Sequence, residues 1–284
     1  MSKIIVSSDT TVAILKEDVD KTSVKIFPLN VFVDGKEYHD TVDIDQHELC
    51  KYMRDGSKIS TSTPSPSEIE EYFDKIFEEE KPDRIIHFTI SSKLSSMYSL
   101  FTRVCGDRYG DKVVVIDSYS ICIFMWNLVE YTQKLVNENI DVDTIVQKIE
   151  ELKGTEYCIF IPESLEYLKR GGRISSSVAA LAGLIGVIPV LNFEDGAVGK
   201  EGVTRTARKA IAQACQRWKN ISNFEEDYEI IMLNAESKIK TDEIKSIIHE
   251  YFPHKKITIY PISINVIAHA GPGTIGAGYY KKIK

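Results

Sequence analysis

Three groups of polar side chains in this sequence have the types and settings to hold an anion. Ser91 and Ser92 follow an apolar run over 84–90 and precede a helical pattern. In open parallel sheets ligands bind beyond the carboxyl ends of the strands, and the unpaired N–H groups of a helix start favour negative charge there. Thr61 and Ser62 hold a comparable place in Ser60-Thr61-Ser62-Thr63-Pro64-Ser65-Pro66, ahead of a helix that Pro66 opens. If both clusters face one cleft, their hydroxyls could hold a carboxylate or a phosphate. Taken singly, Ser and Thr in such places serve as helix caps and turn formers. His269 follows an apolar stretch predicted as strand and precedes Gly271-Pro272-Gly273. An imidazole there could reach a cleft and bond an anion, and a histidine satisfied by nearby backbone is the plain alternative.

Cations form a further set. Leu168-Lys169-Arg170-Gly171-Gly172-Arg173-Ile174 places three of them around two glycines. Lys169 and Arg170 complement the dipole of a last helical turn, and glycine ends the helix. Arg173 lies beyond that need, and Arg205 in Val203-Thr204-Arg205-Thr206 is another isolated cation. On a chain of net charge −7 they are candidates for docking a phosphate or an acidic partner.

Other chemistries find little support. Gly271-Pro272-Gly273-Thr274-Ile275-Gly276 matches GxGxxG in form only, because no βαβ unit or later acid can follow it. His249 and His254 lack a third ligand, so no metal is expected. An acyl-ester hydrolase using Ser92 and His269, with Asp9 as the orienting acid, is conceivable from residue types, but no G-x-S-x-G elbow is present.

These residues must be positioned by alternating elements. Strands are predicted at 3–8, 84–90 and 112–117, with helices at 45–54 and 66–80 and two more through about 152. Such alternation indicates parallel strands with crossover helices. Segments 24–27 and 31–33 read as a small hairpin region, with Asp34-Gly35 as the turn into Glu37-Tyr38. Ser65 and Glu68 form a capping box ahead of the second helix. After Gly154 the pattern changes: strands at 156–161, 188–193, around 203, 229–233 and 256–264, with helices at 207–220 and 242–251. The expected fold is therefore α/β in two domains. Residues 1–155 form a parallel-sheet, Rossmann-like domain with the hairpin at about 24–40. Residues 156–284 form a mixed or antiparallel α/β domain, whose last strand is free to pack back on the first.

Composition sets the outer bounds. The chain has 284 residues, 43% of them hydrophobic and 27% charged, enough for a sizeable core and against disorder. Its acidity opposes binding to a phosphate backbone, so no nucleic-acid partner is expected. The start is too short in apolar residues for a signal peptide. The 14-residue run over 178–191, with Gly183, Gly186 and Pro189, falls short of a bilayer span. Five scattered cysteines without a CxxC indicate reduced thiols, hence a cytoplasmic protein. The 178–191 run reads first as a core helix, and its small residues also leave room for a chain-shaped ligand.

Several of these motifs together resemble the DegV family, the fatty-acid-binding components of bacterial fatty acid kinase. They are Ser8-Asp9-Thr10-Thr11, Thr61-Ser62-Thr63-Pro64-Ser65-Pro66, Ile90-Ser91-Ser92-Lys93-Leu94-Ser95, Leu168 through Ser175, Val203-Thr204-Arg205-Thr206 and His269-Ala270-Gly271-Pro272-Gly273-Thr274. The resemblance spans essentially the whole chain. It implies a long-chain fatty acid between the two domains, its carboxylate bonded by Thr61, Ser92 and His269, with Ser62 beside them. It also implies a separate ATP-dependent kinase that makes the acyl phosphate, a role in phospholipid synthesis, no catalysis by the carrier and no cofactor besides the bound lipid. Transient contact with a membrane surface is compatible with that role. Arg173 and Arg205 match family arginines assigned to the partner or phosphate end. The chain departs from the pattern at Thr10, Ser96-Met97 and Val187-Ile188-Pro189, which bears on chain length more than on binding mode.

Overall fold

Strands rich in Ile and Val, buried on both faces, build the first sheet. β1 (Ile4–Asp9), β2 (Lys25–Phe27), β6 (Arg84–Thr89) and β7 (Val113–Asp117) lie in the order β2-β1-β6-β7, and every neighbouring pair is parallel. The computed structural model describes residues 2–172 and 186–283. Near-continuous apolar runs are what a parallel sheet covered by helices requires. On one face Val6, Ile86, Phe88 and Ile116 meet Met125, Leu128 and Val129 of the helix Cys122–Asn137. On the other, Phe73 from the helix Pro66–Glu80 meets Tyr72 and His87 edge to face, and Phe101 from the helix Met97–Tyr109 meets Phe27 edge to face and stacks on His87. Ser65 and Glu68 close a full capping box at the start of Pro66–Glu80.

A small antiparallel sheet in the order β4-β3-β5 joins this unit. It contains β3 (Asn30–Val33), β4 (Lys36–His39) and β5 (Ile59–Thr61). The hairpin turns at Asp34-Gly35 into Glu37-Tyr38 as predicted, and it joins β3 to β4. The segment at 25–27 pairs with β1 instead, because its alternate residues complete the parallel sheet.

The second sheet has six strands in the order β10-β9-β8-β13-β11-β12. They are β8 (Tyr157–Ile161), β9 (Ile188–Glu194), β10 (Ala197–Thr204), β11 (Tyr228–Asn234), β12 (Ile257–Pro261) and β13 (Ile275–Lys281). Only β11 and β12 run parallel; the other pairs are antiparallel. The helices Ala207–Trp218 and Thr241–Tyr251 seal one face with Ala214, Trp218, Ile244, Ile247 and Ile248.

The last strand corrects an expectation. β13 does not pack back on the first domain; it sits between β8 and β11 in the middle of the second sheet. Its small residues allow this, since a Cβ at Gly278 would lie 2.4 Å from the Tyr157 carbonyl oxygen. The division of the chain is also discontinuous. One unit gathers Met1–Asp45, Lys58–Lys153 and Ser263–Asn265, the other Gln46–Ser57, Gly154–Ile262 and Val266–Lys284. A single cut near 155 misses that the helix Gln46–Arg54 belongs with the second unit. There Arg54 and His47 bond Glu236, and the Gln46 side chain bonds the backbone of Asn234 and Ile262.

A further difference lies at 256–270. The strand ends at Pro261, and Ile264–Ala270 is a helix where a strand and loop were predicted. The β-branched run misleads locally. Ile264, Ile267 and Ala270 are buried at threefold spacing, so tertiary burial outweighs strand propensity. The predicted strand at 188–193 is β9, and residues 178–185 of the apolar run lie outside the described residues.

Candidate functional site

The order β2-β1-β6-β7 has a switch point between β1 and β6. From β1 the chain continues to β2 on one side, and β6 lies on the other. A crevice opens at the carboxyl ends of strands at such a point, where ligands bind in open α/β sheets. β1 ends in Ser8-Asp9 and β6 in Thr89, and both ends are buried. Asp9 ties them together. Its Oδ2 accepts the Ile90 N–H at 2.9 Å, and its Oδ1 accepts the Thr11 N–H at 2.8 Å together with the Thr11 hydroxyl. Burial pushes the Asp9 carboxyl up, against the pull of these hydrogen bonds. A carboxylate engaged at both oxygens in its own loops is a structural staple and a poor orienting acid for a histidine.

The loop after β6 continues the rim. The Ser91 N–H donates to the Ser120 carbonyl at 3.0 Å, and the Ser92 N–H to Asp117 Oδ1 at 3.0 Å. Asp117 also accepts the Tyr119 N–H, so the ends of β6 and β7 are laced together. Ser92 is exposed, in a turn five residues before the helix Met97–Tyr109. Near that helix start it is the Ser95 hydroxyl that accepts the Met97 N–H, and Ser65 caps Pro66–Glu80. Helix capping therefore does not account for Ser92, Thr61 or Ser62. Thr61 is half-buried at the end of β5, paired with Val31, and Ser62 follows it in the open. The Ser8 and Ser120 hydroxyl oxygens are buried without a hydrogen-bond partner among the described residues.

His269 belongs to the second unit and sits half-buried in the last turn of Ile264–Ala270. It packs against Gly171, where a Cβ would lie 2.4 Å from His269 Nδ1. Gly171 thus has a role that sequence reading reduced to ending a helix. The helix stop itself falls to Gly172, in the left-handed region, with Lys169 and Arg170 in the last turn. Arg205 is exposed between β10 and the helix Ala207–Trp218. Arg173 lies outside the described residues.

The structure thus brings the hydroxyl candidates onto one unit and His269 and Arg205 onto the other. Two residues that sequence reading passed over also emerge, Asp40 and Asn265. Asp40 is buried and accepts the Asn265 side-chain amide at 3.1 Å. Burial pushes the Asp40 carboxyl up to about 7, with Asp9 adding to the rise and the Thr10 hydroxyl, Asn265 and the Thr41 backbone opposing it. No local pattern marks either residue, since they lie 225 positions apart. Among the described residues no cluster of His, Cys, Asp and Glu could hold a metal, and no helix is long and apolar enough to cross a membrane.

These features define a two-domain α/β protein, one domain built on a parallel sheet with a switch-point crevice and the other on a mixed sheet. The chain belongs to the DegV family, whose model, that of an uncharacterised protein family, matches residues 3–282. A DegV domain-containing protein of Mycoplasmopsis pulmonis is 28% identical over 283 residues, covering 98% of this chain and 95% of that relative. Among solved structures, a stearic-acid-binding protein from Eubacterium ventriosum is 27% identical, with a TM-score of 0.85 and 99% of both chains covered. A fatty-acid-binding DegV protein from Thermus thermophilus shares the fold at a TM-score of 0.85 and 24% identity, over 99% of this chain and 100% of that one.

Proposed function

We propose that this protein binds a long-chain fatty acid and presents its carboxylate to a separate ATP-dependent kinase for acyl-phosphate formation. Thr61, Ser62, Ser92 and His269 bond the carboxylate in this reading, and Arg205 and Arg173 receive the phosphate or the partner protein. The carrier does no catalysis and works in the cytoplasm without a cofactor. The observation that carries the proposal is the full-length likeness to the stearic-acid-binding protein, at 27% identity and a TM-score of 0.85. It is supported by hydroxyls at the carboxyl-end rim of the parallel sheet that helix capping does not use.

The energetics suit a carrier. Burying about 15 methylenes at roughly 0.8 kcal/mol each gives about 12 kcal/mol before association and ordering costs. A hydrogen bond to a charged carboxylate adds about 1.5–3 kcal/mol. The hydrocarbon supplies affinity, and the polar residues decide which end faces the kinase. The binding step is tested by titrating purified, delipidated protein with palmitate, which binds at micromolar concentration or tighter. The kinase step is tested by adding an ATP-dependent fatty acid kinase from the same organism, with acyl phosphate formed only when both proteins are present. Acyl phosphate or ester turnover from this chain alone would contradict the carrier assignment.

A further inference from the structure

Helix Ile264–Ala270 is held at its two ends by different parts of the molecule. Its first two residues, with Ser263, group with the first unit, and Val266 onward with the second. Asn265, in the first turn, is 8% exposed and donates through Nδ2 to Oδ2 of Asp40, itself 3% exposed. Asn265 and His269 are four residues apart and so lie on one face of the helix. At the other end, contact with Gly171 leaves the imidazole no room to shift toward that glycine. Asp40 has no ion-pair partner among the described residues. Its surroundings are the Thr10 hydroxyl, the Thr41 backbone, the carboxyl of Asp9 and the thiol of Cys122. A buried carboxyl among such neighbours costs stability, so its hydrogen bond to a helix 225 positions away calls for a purpose beyond packing.

We infer that the Asp40–Asn265 hydrogen bond is a clasp that fixes the first turn of this helix and thereby sets the position of His269, making Asp40 a positioning residue for the carboxylate site. The inference rests on the fatty-acid reading for its functional consequence, and its structural half stands without it. A buried hydrogen bond of this kind is a means of holding a functional side chain within a narrow range of geometry. The elevated carboxyl of Asp40 fits the same picture, since the clasp strengthens as pH rises through about 7 and the acceptor becomes charged.

Asp40→Ala and Asn265→Ala test it, together with the exchange D40N/N265D, which restores the donor–acceptor pair with its polarity reversed. Two readouts are taken: palmitate affinity, and the titration midpoint of the His269 ring followed by NMR without ligand, its signals assigned with His269→Gln. Each single variant is expected to weaken palmitate binding about tenfold and to move the His269 midpoint. The exchange returns affinity to within about threefold of wild type. If Asp40→Ala does not fold, Asp40→Asn keeps its shape, and the ratio of wild-type to Asp40→Asn affinity rises about threefold between about pH 6 and 8. An exchange no better than the single variants, an unmoved His269 midpoint or a flat affinity ratio would each overturn the clasp. Failure of every form, wild type included, to bind palmitate would defeat the fatty-acid reading, and the His269 midpoint would still decide the clasp.

Discussion

The two sheets of this molecule put their polar residues to different use. The parallel sheet of the first unit buries Ser7, Ser8, Asp9, His87 and Thr89 within its strands, and Ser91, Ser118 and Ser120 in the loops that follow. The mixed sheet of the second unit is sealed by apolar and aromatic side chains, with Trp218 stacked near Phe224 and edge-on to Tyr279. The second sheet reads as a stability core. The first pays in buried polarity for a rim of hydroxyls and backbone donors, as expected where a charged group must be met. Even within the first unit polarity divides in two. Ser7 links the Tyr72 hydroxyl at 2.7 Å to His87 Nδ1 at 2.8 Å inside the aromatic core, while Asp9 and Asp40 serve the rim.

Breaking the apolar sheet has the largest consequence. Trp218→Ala removes a side chain only 2% exposed, and the expected loss is about 3–5 kcal/mol of unfolding free energy by denaturant titration.

The next effect separates two buried ionisable groups of the first unit by sign. Burial holds the His87 imidazole down at about 3, against an ordinary value of 6.5 in the unfolded chain. Its contribution is therefore present above about pH 6.5 and is lost as pH falls toward 3. Between pH 6.5 and 4.5 this amounts to about 2 kcal/mol. In His87→Phe that acid-side loss should vanish. Asp40 behaves oppositely: its carboxyl is raised from 3.8 to about 7, so its contribution is present below about pH 4 and lost as pH rises to 7. Asp40→Asn should accordingly gain stability relative to wild type as pH rises from 4 to 7. Unfolding curves at several pH values check both signs, and variants that track wild type in parallel would remove the division.

Substitution at the rim sharpens the contrast further. Ser92→Ala and His269→Gln are each expected to weaken palmitate binding by about 1.5–3 kcal/mol, measured by calorimetry. Ser92→Ala should change unfolding free energy by less than about 0.5 kcal/mol, since Ser92 is exposed. Smaller than these losses of affinity is the effect at the cap of the helix that follows Thr61 and Ser62. Ser65→Ala costs about 1 kcal/mol of stability, because its hydroxyl accepts the Glu68 N–H and belongs to a reciprocal box.

How far the sequence discloses this arrangement depends on the range of the interactions. The parallel strands announce themselves as apolar runs followed by Ser, Thr and Asp, and the Ser65–Glu68 box is purely local. The helix at Ile264–Ala270 was hidden because Ile262, Ile264, Val266 and Ile267 carry strand propensity, and only burial against distant segments makes them helical. Gly171 reads as a helix stop because its neighbour His269 is 98 positions away, and nothing local singles out Asp40 because Asn265 is farther still. The discontinuous division is of the same kind. Nothing within 46–57 says that Arg54 and His47 will meet Glu236.

Native mass spectrometry of the purified protein decides whether it is the fatty-acid carrier proposed above. A carrier shows a mass increment that disappears on denaturation, matched by a long-chain fatty acid in the organic extract and reduced in Ser92→Ala. A protein that leaves the column without lipid, and that neither takes up palmitate nor changes its melting temperature when palmitate is added at micromolar concentration, would contradict it.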